Sequence, residues 1–235
     1  MQGLIIAVVI LAVLGVVVWL TQRRQKINEP ALAQLAQSKG WQYQKSFELS
    51  HLGSGNVLRY RFSQTRGDGG GWTLDIESAA AAGGSPLQNT IWRSEDVKLP
   101  EGLVLIGPRP KDMPANLDFG GMLIQAALQM LLRATLGNDA PDTSHLREVK
   151  KGSPDLLGHY LVFASDEALP GRLLTSGTER ALLALTQSLK EKQRPAIVFW
   201  KQGLQVKCAG LITDPSNLQR IAALGEALKA AWSDN

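Results

Sequence analysis

From Gly3 to Leu20 every position is apolar or glycine, an unbroken run of about 18 residues that, at ~1.5 Å per helical residue, approaches the ~30 Å hydrocarbon core of a bilayer. The pattern predicts an N-terminal transmembrane helix. Gly3 and Leu11 lie within it, Trp19 and Leu20 close it where an indole favours the headgroup boundary, and Arg23, Arg24 and Lys26 follow. A cleaved signal peptide would need a basic segment before the run and a small-residue cleavage site after it, and neither is present. Basic flanks are retained on the cytoplasmic side, so the expected orientation is N-terminus outside and the following domain in the cytoplasm of a bacterial inner-membrane, single-pass arrangement. A twin-arginine export signal would place its arginines ahead of the apolar run. Gly3 and Ala7 have the small-xxx-small spacing that permits close helix approach, which raises a homo-oligomer as an outcome.

Beyond the run the pattern changes period several times. Asn28-Glu29-Pro30 reads as a capped helix start, Leu32, Leu35 and Ala36 share one face, and Gly40 ends it. Trp41 and Tyr43 then alternate with glutamine as the chain passes into a strand. Leu58, Tyr60 and Phe62 alternate with arginine and serine, and Trp72, Leu74 and Ile76 alternate with Thr73, Asp75 and Glu77. Two such runs predict a β-hairpin with one buried and one wet face, joined by the glycine-rich stretch Thr65 to Gly71. Further strands are expected at Leu87 to Arg93 and Leu103 to Ile106.

Phe119 to Leu136 reads as an unusually apolar helix, because Gln125, Gln129 and Arg133 form its single polar stripe. Met122, Leu128, Leu131 and Leu132 make it a candidate docking helix for the inner leaflet or a partner; the rival reading is a central core helix between two sheets. Gly137 to Pro154 lacks an apolar period and reads as a linker. After it come an expected strand at Leu156 to Ala164, a helix near Thr178 to Lys192, a hairpin from Ala196 to Trp200 and Leu204 to Leu211, and a last helix opened by Asp214-Pro215. The expected organisation is an anchor with its basic flank over 1–27, a first half over 28–137, a linker over 138–154 and a second half over 155–235, the halves forming either one domain or two. The expected fold class is α+β: an N-terminal transmembrane helix followed by antiparallel β-hairpins covered by helices.

Composition adds limits. With 44% apolar and 20% charged residues the chain is expected to fold. The net charge of +4 owes three charges to Arg23, Arg24 and Lys26, so the remainder is nearly neutral. Pairs such as Arg59/Arg61 and Lys150/Lys151 read as solvated surface, and without basic patches interleaved with aromatics no nucleic-acid partner is expected. The single cysteine, Cys208, excludes an intrachain disulfide and a cysteine-rich zinc site; its place beside Leu204 and Val206 predicts burial.

Candidate chemistry is thin. Gly67, Gly69, Gly70 and Gly71 stand between strands, where a phosphate cradle would lead into a helix. His51, His145 and His159 lack metal-ligand spacing, so no metal or cofactor is expected. Asp142-Thr143-Ser144-His145 holds nucleophilic-triad residue types inside the expected linker, and Gly53-Ser54-Gly55 reads as a turn. Asp75 and Glu77 share a strand face and read as solvated charges.

The Pro30-Ala-Leu-Ala-Gln-Leu-Ala-Gln-Ser-Lys-Gly-Trp41-x-Tyr43 segment and the Tyr160-x-Val-Phe-Ala-Ser-Asp166-Glu167 strand, together with the apolar opening, make the chain resemble uncharacterised bacterial membrane proteins of the domain-of-unknown-function type. The resemblance implies a bacterial inner-membrane setting and carries over no active-site residue. The expected function is a membrane-tethered noncatalytic interaction or scaffold module with the lipid bilayer and a protein as partners. Two alternatives are an enzyme acting on a lipid or envelope-linked substrate and an envelope-facing accessory protein of reversed topology.

Overall fold

In the computed structural model, which describes residues 27–49, 56–65, 70–79, 87–111, 129, 132, 143 and 145–233, the chain opens with helix α1, Glu29–Lys39. The Asn28 side chain accepts a hydrogen bond from the Ala31 amide at 3.3 Å, Pro30 stands in the first turn, and Gly40 leaves the helix at φ 67°, a left-handed conformation that favours glycine. Leu32, Leu35 and Ala36 are buried, as their spacing predicts.

Four antiparallel strands follow: β1 Gln42–Leu49, β2 Asn56–Thr65, β3 Gly71–Ala79 and β4 Leu87–Ser94. The expected β2–β3 hairpin is present, with Tyr60 opposite Ile76 and Phe62 opposite Leu74. Next in the chain come β5 Val104–Pro108, the short β6 Arg147–Glu148, helix α2 Pro154–His159, β7 Tyr160–Ala164, helices α3 Leu169–Leu173 and α4 Ser176–Ser188, a 3-10 turn Glu191–Gln193, β8 Ala196–Trp200, β9 Gly203–Ala209 and helix α5 Pro215–Ser233.

Among the described residues nine strands form one antiparallel sheet, ordered β1-β2-β3-β4-β9-β8-β5-β7-β6. The pairing of β4 with β9, which sets Trp92 opposite Val206, merges the early strands with the late ones. One face carries the main core. Tyr60, Phe62, Leu74, Trp92, Val206, Phe199, Ile106 and Val162 pack there with Leu32 of α1, Leu182 and Leu185 of α4, and Leu218, Ile221, Leu224 and Leu228 of α5. Trp92 is held so close to α5 that a Cβ at Gly225 would lie 2.3 Å from the indole, which is why that helix position has no side chain. On the opposite face, β5, β7 and β8 present Leu105, Phe163, Val198 and Trp200 to a second cluster with Leu132 and Leu146.

These findings correct the expected fold class. The antiparallel hairpins are parts of one nine-stranded sheet, because β4 and β9 each have a free edge after their own hairpin forms and bond to each other. The residues of the expected transmembrane helix, Gly3, Leu11, Trp19, Leu20, Arg23, Arg24 and Lys26, lie outside the described residues. Among the described residues no helix is long and apolar enough to cross a membrane. Even α5, at 19 residues, is broken by Gln219, Arg220, Glu226 and Lys229.

One local correction follows from cap chemistry. Leu156 to Ala164 is not one strand: Ser153 accepts from the Leu156 amide, Pro154 sits in the first turn, and a short helix precedes the strand that starts at Tyr160. Thr143 and Leu146, in the stretch expected to be a linker, are buried. Of the apolar helix expected over 119–136, Gln129 and Leu132 are described and both are helical.

Candidate functional site

Two prolines fix the start of the main cleft. Arg109 lies between Pro108, the last residue of β5, and Pro110, whose ring favours an extended conformation in the residue before it. The Arg109 amide donates to the His159 carbonyl at 2.8 Å, and its Nε donates to the Leu157 carbonyl at 3.1 Å. Those bonds pin the guanidinium over the end of α2. Nη2 lies 4.0 Å from Glu148 Oε1, a long ion pair between partly exposed groups.

Three other segments converge on the same place. Lys150 follows β6, where the Val149 amide extends the pairing by donating to the Val162 carbonyl at 2.8 Å. His159 is the last residue of α2 and is exposed. Arg194 leaves the 3-10 turn just before Pro195 and β8, again held extended ahead of a proline. With Lys111, Glu191, Leu157, Gly158 and Pro110 they line a cleft of about 700 Å³. Its formal charge is +4 from Arg109, Lys111, Lys150 and Arg194 and −2 from Glu148 and Glu191, a net +2 with His159 neutral.

Arg194 is the residue whose bonding is incomplete: its Nε is buried and has no hydrogen-bond partner. A buried N–H left unpaired costs about 1–3 kcal/mol, more when charged, and this one is closed off from the open cleft. Nearby, the Tyr160 hydroxyl bonds Thr186 at 2.6 Å. Burial pushes the Tyr160 phenol well above its ordinary pKa, and the bond to Thr186 and then the Arg194 charge only partly offset this, so Tyr160 stays neutral and structural. Chemically the cleft can attract and orient an anion. It also gathers His159, Glu148 and Glu191, residue types of general acid and base catalysis.

A second polar cluster lies on the sheet itself. Arg61 forms a two-bonded pair with Asp75 at 2.7 and 3.0 Å, Arg93 reaches the same carboxylate at 3.3 Å, and Arg59 pairs with Glu77 at 3.0 Å. Asp75, expected to be a solvated charge, is fully buried. The reason is register: Asp75 faces Arg61 across β2, and the two arginine stems cover it. Lys207, on the same face, has its pKa lowered by burial and then by repulsion from Arg93, with Glu77 opposing. This cluster is internally satisfied and serves the sheet.

The other sequence candidates separate. Cys208 is fully buried, as expected, and burial pushes its thiol up to about 12, the opposite of an activated nucleophile. Thr143 is buried with its hydroxyl donating to Gln129 at 3.0 Å and His145 is exposed, while Asp142 and Ser144 lie outside the described residues. Of the glycine-rich stretch, Gly71 gives its amide to Asp96 at 3.0 Å, and Gly67 and Gly69 lie outside the described residues. No group of His, Cys, Asp and Glu that could hold a metal ion occurs among the described residues. Leu132 of the candidate docking helix is fully buried against Leu105, Val198 and Trp200; Met122, Leu128 and Leu131 lie outside the described residues.

Sequence reasoning missed Arg109 and Arg194, weighed His159 only as a metal ligand and read Lys150 as surface. The one local signal was arginine beside proline, at Pro108-Arg109-Pro110 and Arg194-Pro195, and it carries no information about which segments meet. No protein family, curated protein or solved structure matches the chain.

Proposed function

We propose that this protein is a noncatalytic interaction module that holds an anionic group in the basic cleft beside β5 and β7. The observation that carries the reading is the convergence of four cations from three segments on one cleft, with the Arg109 side chain held by the Leu157 carbonyl and its amide by the His159 carbonyl. Donors fixed before the ligand arrives lose little entropy on binding, which suits a docking site. Cytoplasmic placement, expected from Arg23, Arg24 and Lys26, belongs to the same proposal; a reporter fused at Asn235 that is active only outside the cell would remove it.

The binding reading is tested by titrating the full-length protein with sulfate, phosphate and acetate at fixed ionic strength. Amide or side-chain resonances of Arg109, Lys150, His159 and Arg194 are expected to shift together with at least one anion. If none of the three moves them, the cleft is not a binding site.

A second reading rests on His159, Glu148 and Glu191 lining the same cleft: an enzyme that binds an anionic substrate there. Recovery of a bound ligand chemically altered after incubation would favour it over the interaction module.

A further inference from the structure

We infer that the cleft is a site for a small phosphate monoester, with Arg194 as the residue that grips the phosphoryl group; this rests on the cleft being an anion site, as proposed above. Charge is the first argument. The lining carries a net +2, and a phosphate monoester near neutral pH carries close to two negative charges, whereas a monocarboxylate carries one. Shape is the second. Arg109 and Arg194 line the cleft from different chain segments, and a tetrahedral phosphoryl group has oxygens enough to accept from both and from Lys150. Arg194 borders the cleft just ahead of β8, so its guanidinium is the group such an oxygen would meet from that side.

The organic part of the ligand is read from the rest of the lining. Leu157, Gly158 and Pro110 give the cleft an apolar portion beside its cations, and about 700 Å³ is the size of a small-molecule site. Inorganic phosphate would use the cations alone. An ester with a compact apolar group would use both.

Three probes separate these contributions when their affinities for the full-length protein are measured by titration calorimetry at fixed ionic strength: phenyl phosphate, inorganic phosphate and benzoate. Phenyl phosphate is expected to bind at least tenfold more tightly than benzoate and several-fold more tightly than inorganic phosphate. Arg194→Gln is expected to weaken phenyl phosphate at least tenfold while leaving the melting temperature within a few degrees. Should Arg194→Gln fail to fold, Lys150→Gln, at an exterior position, is expected to weaken the same probe at least threefold.

The outcomes distinguish the two levels of argument. Equal affinity for benzoate and phenyl phosphate overturns the phosphoryl assignment while leaving an anion site. Inorganic phosphate binding as tightly as the ester overturns the ester. No binding of any probe overturns the site itself, and phenyl phosphate binding unchanged in folded Arg194→Gln, or in Lys150→Gln where the former does not fold, removes the residue assignment.

Discussion

The two ends of the sheet solve different physical problems. Strands β1 to β4 are 8 to 10 residues long, and on β2 and β3 aromatic and aliphatic residues alternate with charged ones. Strands β5, β7 and β8 have five residues each, and all five of β8 are buried. The first end has one apolar face against helices and one polar face on which arginines and acids neutralise each other across strands. The second end has apolar layers on both faces, with Leu105, Phe163, Val198 and Trp200 in the additional cluster. The basic cleft lies at the margin of that doubly covered end, where Arg109 leaves β5 and His159 leads into β7. A site whose donors must stay put gains from rigid backing, which the doubly packed strands supply.

The largest effect that would sharpen this contrast is Leu105→Asp. Leu105 is fully buried between β7 and β8, and a carboxylate there has no water and no cationic neighbour across the strands. Its destabilisation is expected to exceed about 4 kcal/mol and to abolish cooperative unfolding by circular dichroism. Glu77→Leu, on the partly polar face, is expected to leave that transition intact. If both variants melted alike, the distinction between the ends would fail. Next comes Gly225→Val, which places branched carbon against the fully buried Trp92 ring. A cost of about 3 kcal/mol in denaturant unfolding is expected, since neither the helix nor the indole has space to retreat. Recovery in the double variant Gly225→Val, Trp92→Leu would identify the clash as the cause.

The same contrast explains what the sequence disclosed. Alternation at Tyr60/Arg61/Phe62 and at Leu74/Asp75/Ile76 revealed β2 and β3, because a strand with one wet face records its orientation in its residues. Asn28 and Gly40 bounded α1, and Asp214-Pro215 opened α5, since a cap is a local event. The β4–β9 pair was invisible. Neither strand contains anything that names its partner, and joining Trp92 to Val206 is a long-range choice made by core packing. Asp75 was misread for a related reason: its residue type and position say outward, but burial came from arginines on neighbouring strands. The cleft was harder still, for Arg109, Lys150 and Arg194 come from segments without periodicity, and only the placement of β5 between β7 and β8 brings them together.

Asp75→Ala probes the polar side of the comparison. It leaves Arg61 and Arg93, with side chains 39% and 40% exposed, facing each other without the carboxylate. Because water can still hydrate both, a loss of about 2 kcal/mol is expected, below the ~3–5 kcal/mol of a fully enclosed pair. A neutral result by urea unfolding would mean that the arginines are solvated independently. Smaller again is the alkaline behaviour of β9. The folded pKa of Cys208 is raised by burial from 9.0 to about 12, so the stability tied to its protonated form is fully present below about pH 9 and is lost as pH rises towards 12. Tyr60, raised to about 12, first by burial and then by its bond to Glu29, acts in the same direction. Cys208→Ala is therefore expected to flatten, without abolishing, the fall in melting temperature between pH 9 and 11. An unchanged slope would show that the thiol does not contribute.

The smallest effect tests whether the polar ladder has a second independent rung. Arg59 and Glu77 pair at 3.0 Å with side chains 23% and 19% exposed, directly opposite each other on β2 and β3. Arg61 and Asp75 occupy the next site on the same face, two residues along each strand. Partial burial removes some solvent screening, but cross-strand charge pairs of this kind contribute only about 0.5–1 kcal/mol. A double-mutant cycle with Arg59→Ala and Glu77→Ala should return a coupling of that size and lose part of it in molar salt. Repeating the cycle in Asp75→Asn decides whether the rungs act separately. An unchanged coupling makes the face a set of local pairs, each readable from strand register; a coupling that collapses makes Asp75 the centre of one network, and the polar end of the sheet as cooperative as the apolar one.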